Sequence, residues 1–345
     1  MIEEILAYAS RFYTPEEYPA LRDQMDNWSR TAPFSGLSVL DATPVFANTL
    51  LKYLPLLCGG ARLSVGIGEL TPYDPEVLRL LKRWNIPVDS PGNVPEYDVV
   101  SDCAGVFSGT ASRFGYVELT RSGIYRYRDK NAPVFFADAG RIKFIETSLG
   151  TGDGYLRAMK GLGCVFSGKS VLVFGGGKVG RGIAAYARGD GARVSVVELE
   201  ARKMPLGVGL VDGSDDRAVA AAIGYADFIV SATGIPGALS RHAAAFCRSR
   251  ALIANMGVED EFGPEVPAGR VLNDKRPLNF ILPEPTRLKY IDPTLALANV
   301  GALELVRGRV GNGICEPSAG QEDDILAVVR KNGVINEELK ILGDF

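Results

Sequence analysis

Histidine is nearly absent from this sequence: His242 is the only one among 345 residues. Most catalytic zinc sites and serine-hydrolase triads use imidazole as a ligand or general base, so their absence is expected here. The cysteines are scattered and include no Cys-x-x-Cys pair: Cys58, Cys103, Cys164, Cys247 and Cys315. We therefore expect reduced thiols and no metal site.

The chain also lacks long runs of basic or apolar residues. Its formal net charge is −3, which gives no electrostatic footprint for nucleic acid or an anionic membrane surface. The opening MIEEILAYASRF has acids where a secretion signal has cations, and no apolar run approaches the roughly 18 residues that cross a bilayer. We expect a cytoplasmic protein whose partner is neither nucleic acid nor membrane.

The composition and segment order predict an α/β protein. Hydrophobic residues make up 46% and charged residues 23% of the chain, as in ordinary globular proteins. From Leu37, short apolar runs such as LSVLDA and ARLSVGI alternate with helical stretches such as FANTLLKYLPLL. This pattern predicts parallel sheets covered by helices on both faces. We expect two doubly wound, Rossmann-like domains with a cleft between them: residues 1–153, to which 300–345 return, form the first domain, and 154–299 form the second.

A glycine-rich turn dominates the second domain. Gly175-Gly176-Gly177-Lys178-Val179-Gly180 fits G-x-G-x-x-G, directly after an apolar strand and at the start of a helix. Such a turn lets the backbone approach a pyrophosphate, and the helix N-terminus favours the anion. Glu198 ends the next apolar segment, where a carboxylate accepts hydrogen bonds from ribose hydroxyls. The predicted cofactor is NAD, and its predicted contacts are Gly175, Gly177, Lys178, Val179, Gly180 and Glu198.

Two other ligands fit the same motif. Arg202 and Lys203 offer charge for the extra phosphate of NADP, although Glu198 would repel that phosphate. S-adenosylmethionine also binds over glycine turns with an acid on its ribose, so a methyltransferase stays an alternative at this point.

The order of several segments resembles the S-adenosylhomocysteine hydrolase family over roughly Ser35 to Leu305. The segments are TPVFANTLL, ADAGRIK, GGGKVGRG, SATGIPGAL with RHAAAF, ANMG and LANVGAL. The resemblance implies further NAD contacts in the later segments, at Thr233, Gly234, Asn255, Met256 and Asn299. It also implies that Thr120 and Ser122 hold the cofactor from the other domain.

The resemblance further implies a catalytic centre in the first domain. Lys143, in ADAGRIK, matches the lysine that helps remove a ribose hydroxyl proton in the family. Thr43 and Asp102 match positions that touch the nucleoside and the reacting centre, and Asp138 replaces an asparagine. Asp41, Asp102 and Asp138 are the alternative bases if Lys143 is a surface cation.

The departures from the family concern its acid and base groups. Asp41 and Val258 stand where the family has histidines, and Thr147 and Ser148 replace an aspartate and an asparagine. The tail KILGDF lacks the lysine and tyrosine that reach a neighbouring protomer's NAD in the family. Elimination and water addition need the missing groups, so thioether hydrolysis is not expected. His242 matches a histidine outside the reacting centre, and we assign it a capping or packing role.

The predicted function is therefore reversible hydride transfer between a small-molecule hydroxyl and NAD, in a homodimer. S-adenosylhomocysteine hydrolysis, S-adenosylmethionine-dependent methyl transfer and a non-enzymatic NAD-sensing role are the alternatives. The small molecule that co-purifies would separate them.

Overall fold

The computed structural model describes residues 1–69, 71–92, 94–200 and 207–342. Arg202, Lys203 and the last three residues of the tail lie outside the described residues. The chain forms two compact units. Unit 1 comprises Met1–Lys143 and Leu288–Asn336, and unit 2 comprises Phe144–Arg287 and Glu337–Phe345. The boundaries predicted from the sequence follow Asp153 and Asn299, whereas the structure divides the chain after Lys143, after Arg287 and again after Asn336.

The strands of the described residues are short and mostly apolar. In chain order they are β1 Ser38–Asp41, β2 Arg62–Gly66, β3 Val88–Asp89, β4 Tyr97–Asp102, β5 Ser112–Glu118, β6 Pro133–Phe136, β7 Ser170–Phe174, β8 Arg193–Glu198, β9 Gly209–Asp212, β10 Phe228–Ser231, β11 Leu252–Asn255 and β12 Gly313–Cys315.

The α-helices lie between these strands and near both ends of the chain. They are α1 Ile2–Ala9, α2 Pro19–Thr31, α3 Thr49–Cys58, α4 Pro75–Arg83, α5 Arg121–Ile124, α6 Ile142–Phe144, α7 Thr151–Gly161, α8 Lys178–Gly189, α9 Asp216–Tyr225, α10 Ala243–Arg248, α11 Leu288–Val306, α12 Ala319–Asn332 and α13 Asn336–Leu339. A π-helical segment, Ile145–Gly150, leads into α7.

Unit 1 contains a parallel sheet of seven strands in the order β3-β2-β1-β4-β5-β6-β12. The strand order reverses between β1 and β4, and ligands of doubly wound sheets bind at such a switch point, beyond the carboxyl ends of the strands. Asp41 and Asp102 are the last residues of these two strands. The sheet therefore brings two predicted site residues to the same edge.

Unit 2 contains a parallel sheet of five strands in the order β9-β8-β7-β10-β11. Its apolar residues pack on both faces: Val171 and Val173 belong to one buried cluster, and Leu172 and Phe174 belong to the other. Burial on both faces is what a doubly wound parallel sheet requires. The predicted α/β class with Rossmann-like domains is confirmed.

Among the described residues, no helix combines the length and the apolar character needed to cross a membrane.

Candidate functional site

The glycine turn joins β7 to α8 in unit 2. Gly175 has a φ of 96°, a conformation that strongly favours glycine. A Cβ at Gly180 would overlap the carbonyl oxygen of Gly175, so helix and turn are in direct contact. A Cβ at Gly177 would meet no atom within 4 Å, so this part of the turn is open. The backbone N–H groups at the start of α8 are thus accessible to an anion, as the motif predicts.

Two other residues of the motif have different surroundings. Lys178 is exposed, and its carbonyl oxygen accepts a hydrogen bond of 2.5 Å from the hydroxyl of Ser148. Ser148 lies in the π-helical segment, and this bond ties that segment to the start of α8. Val179 is half-buried against the cluster that contains Val173. The side chain of Val179 therefore packs on the sheet, and its contact with a cofactor stays a prediction.

Glu198 lies at the carboxyl end of β8, beside the glycine turn. Its carboxylate accepts hydrogen bonds from the backbone N–H of Gly176 at 2.7 Å and of Leu199 at 3.0 Å. A cavity of about 270 Å³ opens here, lined by the glycine turn, Glu198, Thr233 and apolar residues that include Phe174, Val197 and Leu239. An open glycine turn, a carboxylate and an apolar surface in one cavity fit the phosphate, ribose and adenine of a dinucleotide.

Thr233 and Gly234 follow β10, and a buried glutamate holds their loop. The carboxylate of Glu261 accepts the N–H of Thr233 at 2.8 Å and the N–H of Gly234 at 2.7 Å. Glu261 is fully buried, so it positions the loop without reaching the cavity. This residue was not predicted from the sequence.

Asn255 and Met256 were predicted NAD contacts but are integral to unit 2. The buried amide of Asn255 donates to the carbonyl oxygens of Gly257, Glu259 and Lys275. Its oxygen accepts from the hydroxyl of Ser231 and the N–H of Gly257. Met256 is buried in the apolar cluster of the sheet. In this structure both side chains stabilise the end of β11, and their contact with NAD stays a prediction.

His242 also lines the cavity beside Glu198. It lies immediately before α10 and makes no side-chain capping bond; its ring packs 6.4 Å from the rings of Phe174 and Phe246. Its Nε2 accepts a hydrogen bond of 3.1 Å from Nε of Arg241. Burial and the charge of Arg241 lower the pKa of His242. The packing role is observed and the capping role is not.

In unit 1, a buried lysine occupies the carboxyl edge of β1. Lys52, on α3, is fully buried, and its ammonium group forms an ion pair with Asp41. The same group donates to the hydroxyls of Thr43 at 2.9 Å and Ser101 at 3.0 Å. Asp41 also accepts the N–H of Thr43. Asp41 is thus held as the partner of Lys52, which disfavours it as the alternative base.

Two more buried carboxylates follow along the same edge. Asp102 accepts from the N–H groups of Cys103 and Phe107 and from the hydroxyl of Tyr127. Burial raises its pKa to about 6. Glu118 ends the adjacent β5, and burial together with the charge of Asp102 raises its pKa to about 7. Both carboxylates bond to protein groups in this structure, and a direct contact of Asp102 with a substrate stays a prediction.

Thr120 and Ser122 lie just after Glu118. The hydroxyl of Thr120 donates to Glu118 at 2.5 Å and accepts from the N–H groups of Ala104 and Gly123. Ser122 is exposed, and its hydroxyl lies 3.4 Å from that of Thr120. Thr120 therefore caps α5 and closes a loop of unit 1, and its predicted contact with NAD is untested.

Lys143 lies on α6, after β6 and the half-buried Asp138. Its side chain is only 7% exposed, which is uncommon for a lysine. Glu322, on α12, holds the preceding turn: its carboxylate accepts the N–H of Ile142 at 2.9 Å and lies 3.8 Å from the guanidinium of Arg141. The segment that carries Lys143 is therefore fixed by a buried acid from the returning C-terminal helices.

Asn299, a further predicted NAD contact, lies on α11 in unit 1. It is 1% exposed, and its amide donates to the carbonyl oxygen of Lys52 at 3.1 Å and to Gln24 at 3.3 Å. In this structure Asn299 ties α11 to α2 and α3.

Four charged residues that organise the two sites were not predicted from the sequence: Lys52, Glu118, Glu261 and Glu322. For two of them, the sequence contains a pattern that could have predicted a buried charge. Lys52 lies within the largely apolar LLKYLPLL, and Glu118 ends a strand as Asp41 and Asp102 do. A charge inside or at the end of an apolar run is buried only with a partner.

Comparison with known proteins identifies relatives for both parts of the chain. Residues 150–276 match the family model described as "S-adenosyl-L-homocysteine hydrolase, NAD binding domain". Adenosylhomocysteinase of Thermotoga maritima is 32% identical over 288 residues, which cover 74% of this chain and 70% of the relative. Adenosylhomocysteinase of Thermoplasma acidophilum is 26% identical over 295 residues, covering 76% and 70%.

A solved structure shares the fold. One of the subunits of dipicolinate synthase from Bacillus halodurans has a TM-score of 0.50 and 16% identity, with 78% of this chain and 98% of that chain covered. At this identity the likeness concerns the fold alone.

Proposed function

Because this chain belongs to the S-adenosylhomocysteine hydrolase family, we propose that it is an oxidoreductase that transfers a hydride between a small-molecule hydroxyl and NAD. Its cofactor is NAD. When bound, NAD supplies a hydride acceptor for the carbon that bears the hydroxyl. The substrate is proposed to be a nucleoside or another small polar molecule.

The residues of unit 2 that would hold NAD are those around the cavity. The open turn at Gly177 gives access to backbone N–H groups for the pyrophosphate, and the carboxylate of Glu198 accepts hydrogen bonds from the ribose hydroxyls. A second phosphate on that ribose would be repelled by Glu198. This arrangement favours NAD over NADP.

In this proposal Lys143 accepts the hydroxyl proton of the substrate as the hydride leaves. The observation that carries it is the burial of Lys143 on a turn fixed by Glu322. A lysine removed from water can act as a general base when its amine is neutral. Thr43, Asp102 and Asp138 would orient the substrate.

Hydrolysis of a thioether is less well supported. Asp41 stands where the family has a histidine, and Lys52 holds its carboxylate in an ion pair. Ser148, which replaces a catalytic asparagine, bonds to the carbonyl oxygen of Lys178. Neither group is placed as an acid or base for elimination and water addition.

The test compares Lys143→Met with the wild type, using whichever hydroxyl compound reduces bound NAD in a screen of nucleosides and polyols. We expect the rate of NAD reduction at saturating substrate to fall by about 100- to 10,000-fold, the usual contribution of a positioned general base. NAD affinity should be unchanged, since the cavity lies in unit 2. Lys331→Met, which removes an exposed lysine of α12, is the matched control.

A fall of less than about threefold, far below the usual general-base effect, would remove Lys143 from the mechanism. The co-purified small molecule, identified by mass, tests the cofactor itself, because S-adenosylmethionine instead of NAD would favour a methyltransferase. Released homocysteine at ordinary turnover from S-adenosylhomocysteine would favour hydrolysis.

A further inference from the structure

One side of the cavity beside Glu198 is formed by an arginine with three polar neighbours. The Nε–H of Arg241 donates to Nε2 of His242 at 3.1 Å, and a terminal N–H donates to the carbonyl oxygen of Gly213 at 2.5 Å. A carboxylate oxygen of Asp216 lies 3.6 Å from Nε. A long, flexible side chain is thereby fixed in one position.

These partners come from opposite sides of the crevice in unit 2. Gly213 follows β9, and its N–H donates to the carbonyl oxygen of Glu198 at 2.8 Å. His242 follows β10, on the other side of β7. Arg241 therefore bridges the β8–β9 side and the β10 side of the sheet edge, and both ends of this bridge line the cavity.

The character of the cavity indicates which part of a ligand Arg241 meets. The neighbouring lining is apolar at Phe174, Val197 and Leu239 and acidic at Glu198 and Glu200. An apolar surface suits a heteroaromatic ring, whereas two carboxylates disfavour a phosphate. A guanidinium plane stacks readily on aromatic faces, and half of the Arg241 side chain is exposed.

We infer that Arg241 is a specificity-determining residue of the dinucleotide site. Its guanidinium group covers the adenine ring, while Glu198 binds the adjoining ribose. This inference deepens the proposed function by assigning the adenine end of its cofactor site, and it is independent of the role of Lys143. His242 is the positioning residue, because its Nε2 fixes the guanidinium.

The bridge requires an unprotonated His242. Nε2 can accept the Nε–H of Arg241 only while it carries no proton of its own. The groups that face the ring are Arg241, Asp216 on α9 and the rings of Phe174 and Phe246. Burial and Arg241 lower the pKa of His242, so the bond is present at neutral pH and is lost as the pH falls below the histidine's ordinary range.

The experiment is calorimetric titration of NAD, ADP-ribose and NADP into protein from which bound dinucleotide has been removed. The variants are Arg241→Ala and Arg241→Lys, and Arg248→Ala, at an exposed position of the adjoining helix α10, is the matched control. We expect both Arg241 variants to lose about tenfold in affinity for NAD and for ADP-ribose. The two losses should be equal, because ADP-ribose retains the adenine end.

A second readout separates stacking from loss of fold. Between about pH 7.5 and pH 4.5, which extends below the range in which a histidine ordinarily titrates, wild-type affinity should fall more than that of Arg241→Ala, because only the wild type has the bond to His242 to lose. Thermal unfolding of each variant at neutral pH reports whether the fold is retained.

Three outcomes overturn the inference. If wild-type protein binds NAD and both Arg241 variants bind it equally well, Arg241 has no role and the proposed function stands. If only NADP affinity falls, Arg241 reads a phosphate instead of adenine. If the wild type binds none of the three ligands, both the inference and the proposed function fail.

Discussion

The first five strands of each sheet have the same order, but the carboxyl edges of the two sheets hold different groups. In unit 2 the first strand, β7, ends in an open glycine turn beside a cavity of about 270 Å³. In unit 1 the corresponding β1 ends at Asp41, where Lys52, Thr43 and Ser101 form a buried polar cluster. Topology places a switch point in both units. The open turn leaves a cavity at the edge of unit 2, whereas buried side chains fill the corresponding position in unit 1.

The largest effect should come from breaking the cluster in unit 1. Lys52→Met would leave Asp41 buried without its cation, and removing one member of a buried pair costs about 3–5 kcal/mol. We expect the free energy of unfolding, measured with urea, to fall by about this amount. The double variant Lys52→Met with Asp41→Asn should recover much of it, because no uncompensated charge remains.

The matched control is a surface pair of the same unit. Asp323 lies 2.8 Å from Arg141 and is 62% exposed. Asp323→Ala should therefore change the free energy of unfolding by less than about 1 kcal/mol. An equally small effect of Lys52→Met would mean that the buried pair does not organise the edge.

A smaller effect is expected at Glu118, on the same edge of unit 1, and it concerns how the free energy of unfolding depends on pH. The folded-state pKa of Glu118, about 7, lies above its ordinary value of 4.5 because of burial and the charge of Asp102. The stabilising contribution of the bound proton is complete below about pH 4.5 and is lost as the pH rises through about 7. Glu118→Gln should remove about 1–3 kcal/mol of the stability difference between about pH 5 and pH 8.

The measurement is urea unfolding at both pH values, with Glu96→Gln as an exposed control in the same unit. Identical pH dependence in wild type and Glu118→Gln would contradict the assignment of a raised pKa to this carboxyl. The glutamine can still accept from Ala104 and Thr120 through one oxygen, whereas its amide nitrogen would face the N–H of Gly105. Thermal unfolding at about pH 5, below the folded-state pKa, therefore reports whether the fold of the variant is retained.

The difference between the two edges also shows what the sequence could predict. The glycine turn and Glu198 are close together in one βαβ unit, so a local motif carried the prediction of fold and cofactor. The buried acid–base clusters join distant residues: Lys52 meets Ser101, and Ile142 meets Glu322. Such pairs are set by the packing of the sheet and helices, which local patterns do not encode.

The resemblance assigned roles to matched residues, and the structure shows the surroundings of those residues. Asn255 and Asn299 match family positions, but both amides bond to groups of their own unit in this structure. Lys143 is buried on a fixed turn, in keeping with the expectation that it is more than a surface cation. The substrate was not predictable, because the chain departs from the family at its acid and base groups.

The most direct test of the dinucleotide site is calorimetric titration of NAD into stripped wild type, Glu198→Ala and Glu198→Gln. We predict one site per chain and a loss of about 1–3 kcal/mol of binding free energy in Glu198→Ala, the usual range for a charged hydrogen-bond acceptor. Glu198→Gln can still accept the N–H of Gly176 and so keeps that contact with the glycine turn. Comparing it with Glu198→Ala separates an effect on the conformation of the turn from an effect on ribose binding. NAD affinity unchanged in Glu198→Ala, or a second site per chain, would contradict the claim that the open edge of unit 2 is the dinucleotide site.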